Sequence, residues 1–110
     1  MSYSSPPNII STPNLAVSSF TGTTSATANT AAPLSPTSLL VRGFIIYNNT
    51  TGTAAENIYI QDSDGLTIFI VDSSSASPPY FFGSATVDLS KELFTKSAGT
   101  SSAYTVVYWQ

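Results

Sequence analysis

The run Leu39-Leu40-Val41-Arg42-Gly43-Phe44-Ile45-Ile46-Tyr47 constrains this chain more than any other segment. An extended backbone sends successive side chains to opposite faces, and here both faces are apolar. Such a run reads as a central strand that wants cover on both sides. Nowhere does a helical apolar period last longer than one turn. Short runs recur instead, each bounded by turn formers. Asn48-Asn49-Thr50-Thr51-Gly52-Thr53 is the first such boundary. Glu56–Gln61 then alternates, with Ile58 and Ile60 on one face. Asp62-Ser63-Asp64-Gly65 is a hairpin signal, because Asp-Gly supplies the positive φ angles of a tight turn. Leu66–Val71 returns, and its alternation predicts Leu66, Ile68 and Ile70 on the core side.

Ser73–Pro79 reads as a loop, since Pro78-Pro79 is incompatible with a central strand. Gly83–Leu89 is predicted to be a strand, Ser90–Phe94 a turn or single helical turn, and Ala103–Trp109 the closing strand. Leu15–Phe20 also alternates and adds a potential sixth strand. Regular short strands of this kind predict an all-β fold, a small β-sandwich or jelly-roll-like domain. The boundaries read as residues 39–110 for that domain and 1–38 for an extended arm.

The arm is defined by what it lacks. No charged side chain precedes Arg42, and five prolines (Pro6, Pro7, Pro13, Pro33 and Pro36) punctuate the tract. Serine and threonine supply 19 and 15 of the 110 residues, which disfavours long helices because their hydroxyls compete for backbone hydrogen bonds. Hydrophobic residues still reach 42%, too many for a wholly disordered chain. Only 8% of side chains are charged and the net charge is −3, whereas a free monomer ordinarily carries more charge to stay apart from its copies. The composition is that of a part of a larger assembly. The arm is expected to grip a partner through Tyr3, Ile9, Ile10, Leu15, Val17 and Phe20.

Several chemistries are excluded or disfavoured. Cysteine and histidine are both absent, which removes disulfides, thiolate or imidazole metal sites, and Cys or His nucleophile–base pairs. Arg42, Lys91 and Lys96 are the only basic residues, too few to neutralise a useful number of phosphates, so no nucleic acid is expected. No apolar stretch is long enough for a membrane helix, and no signal peptide or membrane partner is expected. Asp62-Ser63-Asp64-Gly65 lacks the third acidic position and terminal Glu of a calcium loop. With no motif to single out one serine beside Lys91 or Lys96, no catalytic residue, metal or cofactor is assigned. The Asn48 and Asn49 sequons read as a polar turn.

Two features point outward. Tyr80, Phe81 and Phe82 are consecutive aromatics after a proline pair, and strand alternation forbids all three from entering one core. At least one is expected to meet solvent or a partner. Arg42 interrupts the apolar run and, because burial without a partner is costly, is expected to meet a carboxylate (Glu56, Asp72, Asp88 or an acid on a neighbouring chain), carbonyls or water.

The uncharged arm, the Leu-Val-Arg-Gly-Phe-Ile-Ile-Tyr-Asn-Asn strand, the Asp-Gly hairpin and the closing Tyr-Thr-Val-Val-Tyr-Trp strand together resemble small virion proteins of tailed bacteriophages. Capsid decoration (cement) proteins are the best match, and neck or tail adaptors the next. The resemblance implies a non-enzymatic protein on the capsid exterior that clamps major capsid subunits, most often as a homotrimer. It brings no catalytic or cofactor residues. A carbohydrate-binding module, with Tyr80, Phe81 or Phe82 as a stacking platform, is a reading from a different class.

Overall fold

A computed structural model describes residues 17–34, 38–50 and 56–110. Ten strands and one helical turn are present among them: β1 (Val17–Thr23), β2 (Ala32–Pro33), β3 (Leu40–Val41), β4 (Gly43–Asn48), β5 (Ile58–Gln61), β6 (Thr67–Val71), β7 (Tyr80–Phe81), β8 (Val87–Asp88), α1 (Leu89–Glu92), β9 (Phe94–Ser97) and β10 (Ala103–Trp109). One antiparallel sheet has the order β1-β10-β4-β7 and a second β2-β9-β5-β6, while β3 and β8 form a separate pair. With that short pair set aside, the remaining eight strands renumber along the chain as 1-8-3-6 and 2-7-4-5. This is the strand order of a jelly roll, two facing sheets whose connections cross repeatedly from one to the other. The all-β sandwich expected from the sequence is the fold.

The core lies between the sheets. Phe44, Ile46, Tyr104 and Val106 enter it from the first sheet, Ile58, Ile60 and Val71 from the second, all essentially without solvent exposure. Leu89 and Leu93, on and just after α1, close one end. Asp88 caps α1, its carboxylate accepting from the Ser90 amide at 3.1 Å and the Ser90 hydroxyl at 2.8 Å.

Residues 17–34 belong to this domain, which corrects the boundary at residue 38. β1 pairs with β10 over its whole length, from Val17↔Trp109 to Thr23↔Ala103. Leu34 is fully buried and its carbonyl accepts from the Tyr104 hydroxyl. The tract is poor in apolar residues because an edge strand needs only one apolar face, and its backbone supplies the rest of the pairing. The other arm positions, 1–16 and 35–37, lie outside the described residues, as do 51–55 of the first turn cluster.

The apolar run 39–47 is two strands and not one. At Arg42 the chain turns: Arg42 N–H donates to the Trp109 carbonyl at 2.7 Å and the Arg42 carbonyl accepts from Phe82 N–H at 2.8 Å. β3 departs to pair with β8, and β4 inserts between β10 and β7. Arg42 is exposed at this corner, so water replaces the carboxylate that a buried guanidinium would require.

The β5–β6 hairpin corrects a second expectation. Gln61 pairs with Thr67, a register that, if continued, would set Ile68 opposite Ile60 and Ile70 opposite Ile58. A bulge between Ile60 and Gln61 inserts one residue and turns the following strand over, giving Ile60↔Phe69 and Ile58↔Val71. Phe69 and Val71 therefore face the core, while Leu66, Ile68 and Ile70 face outward. The turn itself has one positive φ, at Gly65 (88°), with Gly65 N–H on the Asp62 carbonyl at 3.0 Å. The Asp62 carboxylate braces it by accepting from the Asp64 and Leu66 amides, both at 2.9 Å. This is a type I turn ended by a left-handed glycine, not the primed Asp-Gly turn.

The expected strand 83–89 is reduced to Val87–Asp88, because Gly83 (φ 72°) sits in a turn after β7. Phe94–Ser97, assigned no strand from sequence, is the inner strand β9.

Candidate functional site

The outer face of the β1-β10-β4-β7 sheet carries the molecule's unusual surface. Its register defines three rows. Val17, Trp109, Gly43 and Phe81 lie side by side, followed by Ser19, Val107 and Ile45, then Thr21, Thr105 and Tyr47. None of these side chains is charged. Val17 and Phe81 are each 57% exposed and Tyr47 39%, with Ile45, Val107 and Trp109 half-buried between them. The inner face of the same strands is a packed core, so cross-strand pairing leaves the outer residues no choice of direction.

Gly43 builds the centre of the first row. A Cβ there would stand 2.3 Å from the Phe81 ring, so only a bare backbone lets that ring lean across toward Trp109. The two ring centroids are 5.1 Å apart at an interplanar angle of 47°. The result is an exposed aromatic pair on a neutral sheet, suited to desolvating against another flat surface.

The predicted aromatics divide as strand alternation demands. Phe81 faces outward, while Tyr80 and Phe82 turn inward to Phe44, at centroid distances of 5.7 and 5.9 Å. Of the expected arm contacts, Val17 is on the outer face. Phe20 is not free for a partner pocket, since it packs on the domain's own core with its ring 6.0 Å from Tyr108. Tyr3, Ile9, Ile10 and Leu15 lie outside the described residues. Sequence reasoning did not assign Ile45, Tyr47, Val107 or Trp109 to this face. The signal for Ile45 and Tyr47 is the two-faced apolar run 39–47, and for Val107 and Trp109 the apolar residues on both faces of the closing strand 103–109.

The serine- and threonine-rich loops have structural partners. At the end of the sandwich holding the β1–β2, β4–β5 and β9–β10 connections, Ser97 Oγ donates to Glu56 Oε2 at 3.2 Å and lies 3.0 Å from Ser102 Oγ. Ser102 N–H donates to Thr24 Oγ1 at 2.9 Å. Asn48, buried, donates to the Glu56 and Val71 carbonyls at 2.8 Å each and accepts from Thr50 N–H at 2.9 Å. Ser97 is thus held by a carboxylate and a hydroxyl. Burial raises the Tyr104 phenol to about 12, and the Ser90 hydroxyl holds the Asp88 carboxyl below its ordinary range.

Among the described residues no three Asp or Glu side chains gather as a metal site. Among the described residues, likewise, no helix is long and apolar enough to cross a membrane. No family model matches the sequence, and comparison with curated proteins and with solved structures finds no match.

Proposed function

We propose that this chain is a non-enzymatic structural subunit that binds the outside of a phage-type capsid and stabilises contacts between major capsid subunits. The observation that carries the reading is the uncharged outer face of the β1-β10-β4-β7 sheet, with Val17 and Phe81 more than half exposed. Apolar area of this kind stabilises a contact by roughly 25 cal/mol per Å² removed from water, and repetition over a shell multiplies a modest contact. A chain with 8% charged residues has little to hold it off a neutral partner. Jelly rolls also build viral capsid and lectin domains, a likeness of fold and not of site. In this reading the partners are the major capsid protein and further copies of the chain, as a homotrimer. The location is the virion surface, and no cofactor takes part.

The exposed Phe81–Trp109 pair also favours a second reading, a platform that stacks on sugar rings. The two separate experimentally. The purified chain is mixed with expanded capsid shells of the virus that encodes it and sedimented, alongside Val17→Lys and Phe81→Ser variants. Saturable binding by the parent chain, reduced at least about tenfold in the variants without a change in melting, supports the capsid reading. Unchanged binding by the variants overturns the role of this face. A glycan-array signal abolished by Phe81→Ala, without shell binding, moves the chain to the carbohydrate class. Copy number divides decoration from a neck or tail position, which would hold only about six or twelve copies.

A further inference from the structure

At the end of the sandwich opposite the serine network, the β5–β6 turn and the segment from Phe82 to Leu93 enclose a pocket of about 200 Å³. Three aromatic rings form one wall: Phe44, Tyr80 and Phe82, with Tyr80 and Phe82 centroids 5.0 Å apart. Leu93 and Val87 continue the apolar lining, and Ile68, the residue the bulge expels from the core side, stands beside them. Phe44 is fully buried and Leu93 nearly so, whereas Ile68 and Tyr80 are about 40% and 37% exposed, so the lining runs from a dry floor to a wet mouth. The remaining two lining residues are Asp62 and Glu92.

That combination selects a ligand. An apolar cavity of about 150 Å³ takes a benzene-sized molecule, and a lysine side chain is no larger. An aliphatic stem gains from leaving water against Leu93 and the rings. An ammonium group gains from the faces of aromatic rings and from carboxylates, and a carboxylate ligand would be repelled by both. None of the chain's own basic residues, Arg42, Lys91 and Lys96, lines the pocket. We infer that this pocket receives the lysine side chain of a partner protein, its stem against the rings and its ammonium between Asp62 and Glu92. The inference stands apart from the sheet-face reading, because the pocket opens at an end of the sandwich and shares no residue with the outer face.

The test uses the full chain, isotope-labelled, titrated by NMR with n-butylammonium chloride, n-butanol and sodium butyrate. The result expected is saturable shifts at Ile68, Tyr80, Phe82, Val87 and Glu92 with butylammonium, at least about fivefold tighter than with butanol, and none with butyrate. Glu92→Gln, an exposed change on α1, weakens butylammonium about two- to fivefold, while Phe81→Ser on the outer sheet face leaves it unchanged. Butanol binding as tightly as butylammonium, or shifts that avoid the pocket, overturns the ammonium site. A Gly-Gly-Lys-Gly-Gly peptide is then compared with its norleucine counterpart. Pocket shifts from the lysine peptide alone support a partner lysine, and a pocket that takes free butylammonium but neither peptide overturns it. Failure of shell binding by Phe81→Ser bears only on the sheet face, so the two proposals fail separately.

Discussion

The two ends of this sandwich close in opposite ways. At one end the loops are held by side-chain hydrogen bonds: Asn48 to two carbonyls and an amide, Ser97 to Glu56 and Ser102, Ser102 to Thr24. At the other end aromatic rings pack against one another and leave an open pocket between them. Hydrogen bonds are directional and short-ranged, so the polar end has one arrangement, and the cleft of about 380 Å³ beside Asn48 and Ser75 is open and polar. Rings need contact but not a unique geometry, so the aromatic end tolerates a hollow. Rigidity therefore sits at the polar end and receptivity at the aromatic end.

Breaking the polar end should cost most. Asn48→Ala orphans two carbonyls and one amide in a buried position and is expected to destabilise the domain by about 3 kcal/mol or more, read from urea unfolding. Alkali attacks the core between the two ends through Tyr104. Its folded pKa is raised above the unfolded value of 10.0 to about 12, so the neutral phenol's contribution is fully present below pH 10 and is lost as pH rises toward 12. The loss is on the order of 2 kcal/mol. Phenolate absorbance should show one of the six tyrosines ionising only as the fold melts.

Smaller effects sharpen the contrast. Gly22→Ala places a Cβ 2.6 Å from the Tyr104 ring, which is fixed by its bond to Leu34, and should cost about 2 kcal/mol in thermal unfolding. Phe82→Leu at the aromatic end removes ring contacts from a half-buried residue beside an existing hollow. A cost of about 1 kcal/mol is expected, with calorimetry as the measurement. A larger loss at Phe82 than at Asn48 would reverse the assignment of rigidity between the ends.

Much of the fold was legible because strand alternation is local. Ile58 and Ile60, the closing strand 103–109 and the split of Tyr80 and Phe82 from Phe81 all follow from period two and turn chemistry. The orientation of β6 was not legible, since one bulged residue reverses the face of everything after it and leaves no mark in the alternation itself. The break at Arg42 was hidden for a related reason: apolar residues on both sides of a corner look like one long strand. The membership of residues 17–34 was hidden because an edge strand draws on backbone pairing, which any composition can supply.

Composition and strand alternation are enough to make this chain all-β, with few charges to spend on ionic contacts and no cysteine or histidine chemistry. Those properties depend on composition and on nearest-neighbour geometry. Which apolar residues are core and which are surface depends instead on how the sheets pack. Ile45, Val107 and Trp109 face outward although they are as apolar as Phe44, Ile46 and Val106 beside them. The reason is that a sheet has two faces and, among the described residues, a second sheet covers only one of them. The number of layers is set by how distant strands pair, and no local pattern encodes it.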